Sequence, residues 1–153
     1  MRIIYYSYWG TYAAYTMAAL HTGIYPEHGM PPDKWVASQF MLCRRYGEQT
    51  GNLIFVGLDD RCREVYSLGC RQHAGMVIRA LQHISQIFHV EEPISFIDAR
   101  KREGRLPGLL QTHAFSNRQA AERLFAVWFR KKYTACLQEV QQIRRALKDG
   151  IDG

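Results

Sequence analysis

The chain has 153 residues, of which 47% are hydrophobic, 12% aromatic and 22% charged. These values exclude disordered and fibrous proteins, which have far fewer large apolar residues or a dominant glycine and proline repeat. No apolar run reaches the roughly 18 residues of a membrane span, and the amino terminus lacks a signal-peptide pattern. We therefore expect a single cytoplasmic domain over residues 1–153, with no membrane partner.

The formal net charge of +6 is concentrated in one third of the chain. Residues 1–98 carry 8 Lys and Arg against 9 Asp and Glu, whereas residues 99–148 carry 12 against 3. Such a local excess favours an anionic partner. The four cysteines lack the paired spacings of zinc and redox motifs, and the histidines form no H-x-x-x-H pair. We therefore expect reduced thiols and no metal.

The first half of the chain predicts a strand, two helices and a hairpin. A β-branched and aromatic run at 3–8 precedes the loop Gly10-Thr11 and an Ala-rich helix over 13–20. A second helix is predicted from its N-cap residue Asp33 to Gly47. Apolar runs at 53–56 and 64–68, separated by turn residues, indicate a β-hairpin.

The second half predicts an amphipathic helix over 74–88 and a short strand over 93–97 that ends at Asp98. The segment after Ser116 allows two interpretations. A capping box at 116–119 could begin one helix that continues to Lys148. Alternatively, six consecutive apolar residues at 124–129 form a buried strand, and a helix restarts at Lys131 or Lys132. We favour the strand.

This order of elements predicts an α/β fold. The architecture that it favours is a three-layer sandwich with a mainly parallel sheet of about five strands, including one β-hairpin, and helices on both faces. Ligands of such sheets bind at the carboxyl ends of the strands, where helix N-termini favour negative charge. We therefore expect an anionic, phosphate-bearing small molecule, bound by Gly10, Thr11, Tyr12, Asp98, Arg100, Arg102, Arg130 and Lys131.

The spacing of polar residues indicates no particular reaction. Gly10-Thr11 fits neither the P-loop nor the dinucleotide fingerprint, so no cofactor is predicted. Cys70 is a weak candidate nucleophile because Arg71 and a helix start would lower the pKa of its thiol. Asp98 is a candidate general base from its position alone. Nucleic acid is disfavoured because a buried strand over 124–129 would hide the aromatic rings of Trp128 and Phe129.

Several of these segments, taken in order, resemble the small bacterial proteins called domain of unknown function 3189. They are Ile3-Ile4-Tyr5-Tyr6 before a Gly-Thr loop, Asn52-Leu53-Ile54-Phe55-Val56-Gly57, Glu64-Val65-Tyr66-Ser67-Leu68-Gly69, Ile97-Asp98-Ala99-Arg100 and Arg130-Lys131-Lys132-Tyr133. The resemblance spans nearly the whole chain and implies an α/β fold, a bacterial origin and no specific activity. It also implies a last strand before a basic segment that corresponds to 128–134.

The first loop departs from this family. Its members usually have Gly-Gly-Thr-His-Ser-Ser where this chain has Trp9-Gly10-Thr11-Tyr12-Ala13-Ala14. The histidine and both serine hydroxyls are missing. A second hypothesis follows, in which the chain is a non-catalytic interaction module, either a homodimer or the partner of a paralogue, with a degenerate ligand site.

Overall fold

The computed structural model describes residues 1–112 and 117–149, and only the backbone of Asp149. The strands are β1 (Arg2–Ser7), β2 (Leu53–Leu58), β3 (Glu64–Gly69) and β4 (Ile94–Asp98). The helices are α1 (Ala13–His21), α2 (Asp33–Tyr46), α3 (Ala74–Ile87), α4 (Arg100–Glu103), α5 (Leu106–Gln111) and α6 (Arg118–Asp149). Within these described residues, no helix combines the length and the apolar character of a membrane span.

The described residues form one open sheet of four strands in the order β2-β3-β1-β4. The central strand β1 pairs in parallel with β3 and with β4, and β2 pairs antiparallel with β3. The predicted hairpin is therefore confirmed. Its turn is fixed by Asp59, whose carboxylate accepts the backbone N–H groups of Arg61 and Arg63 at 2.9 Å. The fold is a mixed α/β fold with a mainly parallel sheet.

The two faces of the sheet are unequally covered. Alternate side chains of a strand point to opposite faces, so Ile3 and Tyr5 join a large cluster with α1, α2 and α6. Ile4 and Leu68 point the other way, where they meet Ala74 at the start of α3. That second cluster contains few fully buried residues. The main core therefore lies between the sheet and α1, α2 and α6.

The predicted strand at 124–129 is wrong, because these residues belong to the long helix α6. Their burial follows a helical period: Phe125, Trp128 and Phe129 are buried, whereas Val127 is 59% exposed. Helix α6 packs against α1 and α2. Much of its surface is therefore covered, and the covered part needs few polar residues. The sheet accordingly has four described strands instead of about five.

The predicted capping box is only partly within the described residues. Ser116 lies outside them. Asn117 supplies the first acceptor of α6, since its Oδ1 accepts the backbone N–H of Gln119 at 3.0 Å. A short polar side chain just before the first helical turn thus satisfies a free N–H group, as capping requires.

A buried polar chain joins α1 to the hairpin. The Tyr5 hydroxyl lies 2.7 Å from His21 Nδ1, and His21 Nε2 lies 3.4 Å from Asp59 Oδ2, without hydrogen-bond geometry. Asp59 also accepts a 2.6 Å hydrogen bond from Arg63 Nε. Burial lowers the pKa of His21 to about 4, so the ring is neutral at pH 7 and its Nδ1 shares a hydrogen bond with the Tyr5 hydroxyl.

Candidate functional site

A cavity of about 430 Å³ opens where β1 and β4 end, at the edge of the sheet where ligands of α/β folds bind. We call it the strand-end cavity. Its lining residues come from the loop after β1 and from α4, α5 and the turn between them: Tyr8, Trp9, Arg100, Glu103, Gly104, Arg105 and Gly108.

Glu103 joins the cavity to the loop after β1. Its carboxylate accepts hydrogen bonds from Ser7 Oγ at 2.7 Å, from Tyr8 N at 2.8 Å and from Trp9 N at 3.3 Å. The side chain is 3% exposed. Burial raises the pKa of Glu103, and the hydrogen bonds from Ser7 and from the backbone of Trp9, Tyr8 and Ala13 oppose that shift. A carboxylate of the protein itself therefore occupies the start of α1, where an external anion was expected.

The predicted loop residues are enclosed in the core. Gly10 N donates to Ser7 Oγ at 3.0 Å, and the carbonyl of Thr11 accepts hydrogen bonds from Gln39 and from the Cys43 thiol. Tyr12 is fully buried, and its hydroxyl accepts a hydrogen bond from the side chain of Gln111. These three residues, Gly10, Thr11 and Tyr12, thus lie behind the cavity and not on its surface.

The loops after β1 and β3 are packed directly against each other. Their ladder continues past the strands, because Cys70 N donates to Ser7 O and Arg71 N donates to Tyr8 O, both at 2.9 Å. Gly10 has φ +79°, and a Cβ on it would lie 2.4 Å from Gly69 N. Only glycine tolerates both the conformation and the approach. The crevice between β1 and β3 is therefore closed by the backbone.

The basic residues predicted for the site are divided among several surfaces. Arg100 holds Asp98 through its Nε and Nη2 atoms, at distances of 2.6–3.1 Å. Arg102 pairs with Glu139 of α6. Arg130 lies 3.5 Å from Asp33 and lines a separate groove between α2 and α6.

Of these residues, Arg100 alone lines the strand-end cavity; Lys131 is an exposed residue of α6. The prediction placed Arg130 and Lys131 after a fifth strand, and α6 replaces that strand. Asp98 is bonded to Arg100, which lowers the pKa of its carboxyl group below the ordinary value. A lowered pKa weakens Asp98 as a general base at pH 7.

Three further cationic side chains lie at the cavity or near its lining residues. Arg71 lies over the Trp9 ring, 4.0 Å from its centroid. Arg105 is an exposed lining residue that makes no ion pair with any residue in the described part of the chain. The Lys132 Nζ atom lies 3.5 Å from the position that a Cβ on Gly104 would take. The sequence pointed to Lys132 through the basic segment 130–132 and to Arg105 only through the basic excess of 99–148, and it marked Arg71 only as a neighbour of Cys70.

The cysteines do not line the strand-end cavity, and the aromatic rings of α6 belong to the core. All four cysteines fall within the described residues and are free thiols. Cys70 is buried, and burial raises the pKa of its thiol to about 11, so the expected lowering is wrong. Trp128, Phe129 and Tyr133 are at most 4% exposed. They form part of the core and offer no stacking surface.

No cluster of three or more His, Cys, Asp or Glu side chains that could hold a metal ion occurs in residues 1–112 and 117–149.

Comparison with known proteins gives one match. The family model described as "Protein of unknown function (DUF3189)" matches residues 2–145. No curated protein and no solved structure matches the chain. Because the match covers nearly all of the 153 residues, the chain belongs to the DUF3189 family.

Proposed function

We propose that the protein binds a small anionic molecule in the strand-end cavity, with the negative charge beside Arg105 and Lys132 and the rest of the molecule against Trp9. The observation that carries this proposal is the state of the charges around the cavity. Arg100 is already paired with Asp98, but Arg105 makes no ion pair within the described residues.

The acidic lining residue does not pair with these cations. Glu103 directs its carboxylate at Ser7 and at the backbone of the loop after β1, so its lone pairs are used inside the protein. Its burial leaves the outer surface of the cavity to Arg100, Arg105 and nearby Lys132. Oriented cations at a concave surface raise the local concentration of anions.

The size and shape of the cavity suit a small molecule. Its volume of about 430 Å³ lies within the range of small-molecule sites. Gly104 and Gly108 add no side chains to its wall, and Trp9 offers an indole ring for contact with an apolar or planar group. A phosphate or carboxylate attached to a compact organic body fits this lining. The first-loop N–H groups that Glu103 and Ser7 occupy take no part.

The proposal is tested by titrating the full chain with inorganic phosphate, sulfate and adenosine monophosphate, measured by isothermal titration calorimetry. We expect Arg105→Ala to weaken binding about 10-fold, as loss of one charge-assisted hydrogen bond to an anion does. Arg130→Ala removes the same charge from a different groove and serves as the matched control. Binding should fall as the salt concentration rises.

Two results would contradict the proposal. One is the absence of binding by all three anions at millimolar concentration. The other is an equal loss of affinity in Arg105→Ala and Arg130→Ala, which would show that general surface charge, and not the cavity, attracts the anion. Trp9 fluorescence gives an independent signal, because a molecule seated against the indole changes its emission and Trp9→Phe removes that change.

A further inference from the structure

Strand β2 is an unprotected edge of the sheet. In the part of the chain that the structure describes, it pairs only with β3. Its sequence, Leu53–Leu58, contains neither a charged residue nor a proline, and Leu53, Phe55 and Leu58 are 44%, 56% and 51% exposed. Edge strands of soluble proteins normally carry such protecting residues. The opposite edge strand, β4, follows Pro93 and ends in Asp98.

Helix α3, which covers one face of the sheet, carries an exposed apolar stripe. Met76, Ile84 and Ile87 are 65%, 49% and 70% exposed, and their spacing places them on one flank of the helix. The other flank carries Gln82 and Gln86, which line a polar groove against the start of β4. The apolar flank therefore lies on the β2 side of α3.

Leu53 and Phe55 belong to the same face of the sheet as α3. They pair with Leu68 and Tyr66, which pack in the small cluster under that helix. The Phe55 ring contacts the Tyr66 ring at a centroid distance of 5.4 Å. The exposed side chains of β2 and the α3 stripe thus lie on the same face of the sheet, and together we call them the α3–β2 surface.

The exposed area is large for a monomer. Leu53, Phe55, Met76, Ile84 and Ile87 together expose on the order of 600 Å² of apolar surface, at the upper end of what single soluble domains show. A standard interface buries about 800 Å² on each partner. The five side chains of the α3–β2 surface thus supply about three quarters of the area that each partner of a standard interface buries.

We infer that two copies of this chain associate through their β2 edges in antiparallel pairing, which joins the two sheets into one. Antiparallel pairing of identical strands places a two-fold axis perpendicular to the sheet, so both α3 helices lie on the same face. A bulge between Phe55 and Gly57 interrupts the ladder, so regular pairing uses the part of β2 before it. If the two-fold axis passes between the two copies of Ile54, Leu53 of one copy lies opposite Phe55 of the other.

A second copy suits this surface because the surface is self-complementary. The strand edge offers free N–H and C=O groups to an identical strand, and like charges cannot repel because β2 has none. The α3 stripes then flank an apolar strip made from both copies of Leu53 and Phe55. This interface lies on a different part of the molecule from the strand-end cavity, so it does not depend on ligand binding.

The experiment is sedimentation equilibrium of the full chain from about 1 to about 200 µM, a range that detects micromolar association. We expect a mass that rises from 17.8 kDa toward twice that value. Phe55→Lys should weaken association by roughly 30-fold or more, as loss of a central aromatic contact does. Val127→Lys, at an apolar residue of α6 that is 59% exposed, is the matched control and should leave the dimer unchanged.

Hydrogen exchange of the unmodified chain gives a test without a substitution. Backbone N–H groups of β2 should gain protection as concentration rises, while those of β4 should not. A chain that stays monomeric at about 200 µM would overturn the inference. So would a dimer that dissociates in Val127→Lys and persists in Phe55→Lys, or one that protects β4 instead of β2.

Discussion

Glu103 is the residue whose removal should reveal most about how this fold is held together. In Glu103→Ala, Ser7 Oγ, Tyr8 N and Trp9 N lose their common acceptor. A buried donor left without a partner costs about 1–3 kcal/mol. The bond to Trp9, at 3.3 Å, is the longest, and water entering from the cavity replaces part of the loss. We therefore expect Glu103→Ala to lower the free energy of unfolding by about 3–5 kcal/mol.

The assay is urea unfolding followed by far-ultraviolet circular dichroism. Glu103→Gln keeps the shape and one acceptor oxygen, so it should lose about half as much stability. The control is Glu27→Ala, which removes a partly exposed carboxylate that pairs with Arg144 and should cost less than about 1 kcal/mol. If Glu103→Ala loses no more than Glu27→Ala, the carboxylate does not organise the loop after β1, and our description of the site is incorrect.

The other predictions concern buried polar side chains and the space around two glycines. The pKa of His21 is lowered to about 4 in the fold against 6.5 in the unfolded chain, so stability should be complete above pH 6.5 and fall by up to about 3 kcal/mol as pH drops toward 4. In a His21→Phe variant, the thermal midpoint should fall less steeply between pH 6.5 and pH 4 than in the unmodified chain. An equal slope in the two proteins would contradict a lowered pKa of His21. Gly10→Ala should destabilise by more than about 3 kcal/mol in urea unfolding, because its Cβ would meet the backbone of Gly69. Gly75→Ala, in the open first turn of α3, should instead stabilise by about 0.5–1 kcal/mol, and equal effects at Gly10 and Gly75 would refute the steric argument. Gln39→Leu should cost about 2–4 kcal/mol by the same assay, since its buried amide binds the loop and α1 through several hydrogen bonds, and a loss below about 1 kcal/mol would show that these bonds matter little.

The elements that the sequence predicted correctly are those whose signals are local. The turn residues between 53–56 and 64–68 predicted the hairpin, and the helical spacing of 74–88 predicted α3. The prediction for 124–129 was wrong because six consecutive apolar residues show neither the helical nor the strand periodicity of hydrophobic positions. Their helical character becomes evident only when α1 and α2 cover several sides of α6.

The sequence predicted which residues lie at the end of β4, but not how the side chains around the candidate site are paired. Asp98 and Arg100 lie at a strand end, as the predicted strand over 93–97 indicated. The role of Glu103 depends on a contact with Ser7, 96 residues away in the chain, which no local pattern encodes. The predicted grouping of Arg130 with Arg100 failed because it required a fifth strand.

Helix α6 also has a consequence for synthesis of the protein on the ribosome. Its 32 residues extend for about 48 Å and cover α1, which was made roughly a hundred residues earlier. Until α6 emerges, the side chains of α1 that later face it stay open to water. The part of the main core that α6 supplies is therefore missing while residues 1–117 are made, and cooperative folding of this domain requires that α6 has left the exit tunnel.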